Sequence, residues 1–289
     1  MLYIFLSICC SVIVSVLFKM AKRYQVDIYQ VITWNYSIAI ILTWLFLKPQ
    51  LQNLGGGPFY IYTSLGLLLP SLFVVIALSV RFSGIVRTEV AQRLSLFIPI
   101  IAAFLLFGET LTPLKIVGIV IGFAAIICSI PWQKNNQTLR NRNTNGWIYM
   151  LIIFIGMGII DILFKQMALN TTVSYNTSLF TVYIIAFVIA LIGLIWRFAT
   201  KRSKFIWPYI FFGWILGLAN FGNILFYIKA HQALVKTPST VFAAMNIGVI
   251  VLGAFVGLLL FKEKLTTLNK VGIGLALIAI GIIYYSQLN

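Results

Sequence analysis

Three features of the sequence predict an all-α polytopic membrane protein: an apolar composition, turn residues recurring at intervals that suit a bilayer, and a match between the two halves. Hydrophobic residues fill 61% of the 289 positions and charged residues only 9%. The mean hydropathy of +1.03 lies far above that of a water-soluble domain. A bilayer core takes about 20 apolar residues per helix, and a short turn raises the repeat to roughly 28, so the chain holds about ten transmembrane helices.

The spans fall at about 2–19, 28–47, 59–80, 86–107, 113–130, 147–164, 174–196, 207–228, 237–261 and 267–286. The first has no basic residue before its apolar run and no small-residue cleavage site, so it reads as a retained helix rather than a signal peptide. Lys48-Pro49 closes the second, Gly55 to Pro58 lead into the third, and Thr112-Pro113 opens the fifth. The polar run Gln133 to Gly146 separates the halves, and Arg197 to Lys204 separates the seventh span from the eighth. The chain thus divides into a five-helix unit over 1–130, a polar basic linker over 131–146, and a second five-helix unit over 147–289.

The charge is one-sided, 21 Lys and Arg against 5 Asp and Glu. The bases sit in short breaks between apolar runs, so anionic membrane lipids rather than nucleic acid are the expected counter-charge. Counted by alternate loops, one side collects Lys19, Lys22, Arg23, Arg81, Arg87, Lys134, Arg140, Arg142, Arg197, Lys201, Arg202, Lys204, Lys262, Lys264 and Lys270. The other collects Lys48, Lys115, Lys165, Lys229 and Lys236. That bias of about three to one places the first side in the cytoplasm of an inner-membrane protein, with both termini outside.

The run from Phe107 to Ile119 (FGETLTPLKIVGI) matches that from Phe261 to Ile273 (FKEKLTTLNKVGI), and Leu17-Phe18-Lys19 is echoed by Leu163-Phe164-Lys165. The period is about 150 residues. Five spans per copy is an odd number, so the second copy enters the membrane reversed and the repeat is inverted. The Gly-Glu-Xaa-Leu turn between a fourth span and a glycine-containing fifth, Phe107 to Gly122, resembles the repeat of EamA-type members of the drug/metabolite transporter superfamily. The resemblance covers essentially the whole chain. It implies ten spans in two halves and the movement of metabolites, and leaves the substrate open. Phe261-Lys262-Glu263 departs from the repeat pattern by placing lysine where the first half has Gly108.

Several polar residues within the spans could carry function. Glu89 and Arg93 stand at i and i+4 near the start of the fourth span with Gln92 beside them. A charge at mid-membrane costs about 2.5–3.5 kcal/mol, so Arg93 should face a polar cavity or a partner, and its planar donor fork suits a carboxylate or phosphate. Asp161 and Lys165 repeat the i, i+4 pattern in the sixth span, corresponding to Ser15 and Lys19 in the first; an acid without a twin is a candidate proton or sodium site. A local salt bridge is the competing reading. Asn35, Asn220, Asn223 and Asn246 read as helix glue or cavity lining, with Trp34 and Trp214 deep enough to pack a substrate. Glu109 and Glu263 read as turn residues interacting with the start of the helix that follows each.

One histidine, His231, and five acids leave too few groups for a catalytic or metal centre. No enzyme activity, cofactor or metal is expected. The three cysteines, Cys9, Cys10 and Cys128, lie in apolar runs and read as core. The small-xxx-small pairs Gly118/Gly122, Gly213/Gly217 and Gly253/Gly257 suit close packing within one chain, as a monomer or homodimer. The expected function is secondary-active transport, as an exporter, of a small polar or amphipathic metabolite by alternating access. Arg93, Glu89, Gln92, Asn220, Asn223, Asn246 and Trp214 would line the site, and Asp161 would couple an ion. Export of lipophilic cations with Glu89 as the key charge, or lipid scrambling, are the alternatives.

Overall fold

The computed structural model describes residues 2–24, 26–50, 57–83, 85–110, 112–129, 146–261 and 266–286. All regular elements among them are helical. In order these are α1 (Leu2–Arg23), α2 (Ile28–Leu42), α3 (Phe59–Ser83), α4 (Ile85–Leu94), α5 (Phe97–Leu105), α6 (Pro113–Ser129), α7 (Gly146–Leu169), α8 (Tyr175–Ala199), α9 (Pro208–Ala233), α10 (Pro238–Phe261) and α11 (Thr267–Tyr285). The linker over 131–145 and Glu263 lie outside the described residues, as do the side chains of Glu89, Lys19 and Arg87.

Seven helical segments among the described residues are long and apolar enough to cross a membrane. Apolar stretches at Leu2–Phe18, Val90–Leu105 and Pro113–Cys128 are shorter. The fourth expected span divides into α4 and α5 because Pro99 has no N–H to give to the carbonyl of Ser95, and its ring crowds that carbonyl. Ile98 N–H donates to Ser95 O instead (3.0 Å) and Leu96 N–H to Arg93 O (3.3 Å), tightening the break. Outward-facing side chains such as Phe46, Leu105 and Leu259 are exposed and apolar, a surface suited to lipid rather than water.

Local chemistry fixes the helix ends. Asp27 caps α2 by accepting from Tyr29 N–H (2.9 Å). Thr266 and Asn269 form a reciprocal capping box on α11. Proline opens α6, α9 and α10, where its missing N–H costs nothing. The end of α2 widens into a π-helical turn, Thr43–Leu47, and stops where Lys48 turns left-handed (φ 45°) before Pro49.

In lipid, helices gain little from hiding apolar surface from one another, so close packing and interhelical hydrogen bonds hold them together. Small residues mark the closest contacts. At Gly217 of α9 an added Cβ would lie 2.2 Å from Ile38 Cγ2 and 2.6 Å from the backbone O of Asn35 on α2; at Gly213 it would lie 2.6 Å from Trp34 Cβ. Gly118 and Gly122 of α6 sit against Ile283 of α11 and Ile247 of α10, beside buried Ala125, Ala276 and Ala279. Both glycine pairs thus serve packing within the chain. An added Cβ at Gly253 meets nothing within 4 Å.

The resulting neighbours are α1 with α9 and α10, α2 with α8 and α9, α3 with α7 and α8, α4 and α5 with α7, α5 with α10, and α6 with α11. Gly217→Val should destabilise the bundle by about 1–3 kcal/mol, the usual cost of overpacking, because backbone blocks relief. Gly253→Ala should be neutral. Thermal unfolding of both variants in detergent checks the contrast.

Candidate functional site

The polar interior is organised by α9. Asn220, Asn223, Tyr227 and His231 recur at spacings of 3, 4 and 4, which places them along one stripe of the helix. Each meets a different neighbour. Asn220 Nδ2 donates to Asn35 Oδ1 on α2 (3.3 Å). Ser7 Oγ on α1 lies 2.8 Å from Asn223 Oδ1 and 2.9 Å from the Asn223 carbonyl, sharing its one proton between them. Tyr227 Oη donates to Asp161 Oδ1 on α7 (2.8 Å). The buried imidazole of His231 lies between the rings of Tyr227 and Phe242, its ring centroid 4.7 Å away from each, and neither of its nitrogens has a hydrogen-bond partner among the described residues.

Asp161 and Lys165 do not pair, so the local salt bridge expected as the competing reading is absent. Lys165, fully buried, sends Nζ to the carbonyls of His231 (3.3 Å) and Val235 (3.1 Å). These groups close the C-terminal end of α9, where carbonyls lack intrahelical donors and the helix dipole is negative. Asp161 is half-buried and held by Tyr227 alone among the hydrogen bonds described for it.

Glu109 also departs from expectation. It does not serve the start of the helix that follows it; Thr112 Oγ1 accepts from Lys115 N–H there (3.4 Å). The carboxylate reaches α10 instead, accepting Ser239 N–H at Oε2 (2.8 Å) and Ser239 Oγ–H at Oε1 (2.6 Å). Lys115 Nζ closes the arrangement with a buried ion pair to Glu109 Oε1 (2.7 Å).

The other expected site residues are dispersed. Arg93 is half-buried in the last turn of α4, where the helix end favours a cation. Half-buried Gln92 precedes it, its backbone O accepting from Ser95 Oγ (2.6 Å) at the break. Asn246 turns its Nδ2 back to Phe242 O in its own helix (3.1 Å). Trp214 stays outside the stripe: it is 36% exposed, packs on Phe211, and donates Nε1–H to Ser37 Oγ (3.2 Å). Trp34 packs its Cβ at the Gly213 contact.

Of the polar residues singled out in the sequence, Asn220, Asn223 and Asp161 meet at α9, joined there by Ser7, Tyr227 and His231, which the sequence did not single out as site residues. The 3-4-4 spacing on α9 was the available signal for the last two. Ser7 carries none, as one small polar residue in an apolar run.

No family model matches the chain. A Haemophilus influenzae protein described only as uncharacterized is 43% identical over 286 residues, with 96% of each chain covered. This chain belongs to that protein's family. Coverage on both sides means that the family shares the whole bundle rather than one half of it. A solved crystal structure, described only as that of a protein, superposes with a TM-score of 0.77 over 100% of this chain and 98% of its own, at 11% identity. At that identity the likeness is one of fold alone.

Glu109→Ala should cost about 3–5 kcal/mol, because it leaves Lys115 buried without its counter-charge. Glu109→Ala with Lys115→Leu should recover much of that loss. Chemical unfolding of the two variants in detergent checks the sign of the coupling.

Proposed function

We propose that the protein is a secondary-active transporter of the drug/metabolite transporter type, moving a small polar or amphipathic metabolite by alternating access. The observation that carries this reading is the stripe of α9, which sets Asn220, Asn223, Tyr227 and His231 facing α1, α2 and α7 inside an apolar bundle. Buried polar groups in lipid are costly to keep, and a line of them along one helix suits a solute path. Half-buried Asp161, bonded to Tyr227, is the ion-coupling group in this reading.

Ten spans in two inverted halves are supported by the neighbours. Exchanging α1 with α7, α2 with α8, α3 with α9, α4–α5 with α10, and α6 with α11 maps the most extensively packed pairs onto one another, α1/α9 onto α3/α7 and α2/α9 onto α3/α8 among them, while α7/α9 has no such counterpart. In the register that aligns Phe107 with Phe261, Gln92 falls on Asn246, giving each half one amide at the same place. The break between α4 and α5 beside Gln92 and Arg93 fits a transporter's discontinuous helix.

Outward termini draw support from burial. Of the five bases on the sparser side, Lys115 and Lys165 are buried inside the fold, which leaves that side three bases for its loops. Lipid scrambling is less well supported, because the groove between α2, α3 and α8 is lined mainly by apolar residues and does not include the α9 stripe.

Uptake from a mixed metabolite pool into proteoliposomes, with and without a proton gradient, tests the reading. Selective accumulation is expected. Asp161→Asn should lose the response to the gradient while exchange of labelled for unlabelled solute continues; an unchanged response removes Asp161 from coupling. Asn220→Ala should lower stability by only about 0.6 kcal/mol, the mean worth of an interhelical hydrogen bond in a membrane. Loss of uptake by that variant therefore assigns Asn220 to the solute path, and retained uptake assigns it to helix packing.

A further inference from the structure

A second feature lies away from the α9 stripe, at the end of the bundle where α8 turns towards α9. At Gly66 an added Cβ would lie 2.5 Å from Ile185 Cγ2, so α3 and α8 are in tight contact there. Four residues on, Pro70, inside the continuous helix α3, has no N–H to donate to the Gly66 carbonyl. From that point a groove of about 340 Å³ opens between α2, α3 and α8, lined by Tyr29, Ile32, Pro70, Val74, Ile189 and Gly193 among others. A Cβ on Gly193 would meet nothing within 4 Å.

The mouth of this apolar groove is cationic. Arg197 stands one helical turn beyond Gly193, on the same face of α8, with its guanidinium 4.0 Å over the Tyr29 ring that lines the groove. Its Nη2 donates to Arg202 O (3.2 Å), and its buried Nε has no hydrogen-bond partner among the described residues. Lys201, Arg202 and Lys204 follow within seven residues, all exposed.

The loop that carries them is held in one shape. Gln30, fully buried, donates Nε2–H to Lys204 O (2.8 Å) and accepts Ile206 N–H at Oε1 (3.1 Å). Ser203 Oγ–H donates to Asp27, the capping acid of α2. Asp27 is the acid of this loop region, set against four bases.

We propose that this is a binding site for an anionic phospholipid, with one acyl chain in the α2/α3/α8 groove and the phosphate on Arg197 and the loop bases. An apolar trough beside an unpartnered guanidinium N–H matches the two ends of such a molecule, and the guanidinium fork fits phosphate oxygens. Free phosphate would leave the trough without a function. Several bases near the headgroup each add to the preference for a negative lipid. The site is independent of whether the chain transports a solute.

Native mass spectrometry of the detergent-purified protein, titrated with phosphatidylglycerol or phosphatidylcholine, reads the proposal. The wild type should retain phosphatidylglycerol preferentially. Arg197→Gln should cut that retention about fivefold, the effect of one base near an anionic surface, and narrow the preference for phosphatidylglycerol over phosphatidylcholine. Gly193→Leu, which enters open space and should fold, should reduce both lipids by filling the trough. Lys236→Gln, at a base outside the groove, should change neither. Equal retention of the two lipids by the wild type, or full retention of phosphatidylglycerol by Arg197→Gln, overturns the site. Displacement of the lipid by millimolar inorganic phosphate alone overturns the lipid as occupant and leaves a free-anion site.

Discussion

The contact of α9 with the backbone of α2 at Gly213 and Gly217 is the constraint on which the interior depends. In hydrocarbon no water competes for polar groups, and apolar side chains gain little by leaving lipid for protein. Helices must therefore meet closely enough for their polar groups to find one another. With no Cβ at Gly217, the Asn35 backbone comes within reach, and the amides of Asn35 and Asn220 then satisfy each other across the seam. The same face of α9, once seated, presents Asn223 to Ser7 and Tyr227 to Asp161.

Charge settles the far end of α9. Lys165 from α7 lies on the carbonyls that close α9, and Glu109 from the α5–α6 turn lies on the N–H groups that open α10. The short turn from Leu234 to Thr237 is thus held between a cation at a helix C-terminus and an anion at a helix N-terminus, each matching the local dipole. One of these side chains comes from each half of the chain. The clamp therefore ties α7 and the α5–α6 turn to the same short connection between α9 and α10.

Much of this architecture was legible because lipid imposes a simple code. Apolar runs and the breaks at Lys48-Pro49, Gly55 to Pro58 and Thr112-Pro113 mark helices by local chemistry, and local chemistry is what a sequence displays. The division of the fourth span was less legible. Pro99 signals a break, yet an apolar run on both sides reads as one span until the hydrogen bonds are followed. Asp161 and Lys165 show the limit of spacing: i, i+4 places two side chains on one face, but each found a stronger partner on α9.

By itself the sequence determined that the chain is helical and suited to a bilayer, because composition and periodicity are properties of segments. It also identified Asn220, Asn223 and Asp161 as polar groups that lipid would not tolerate without partners. Only the tertiary structure decided who those partners are. The choice of Ser7 for Asn223, Ser239 for Glu109, and the α9 carbonyls for Lys165 depends on which helices touch and at what height. That is fixed by glycine contacts between segments far apart in the chain.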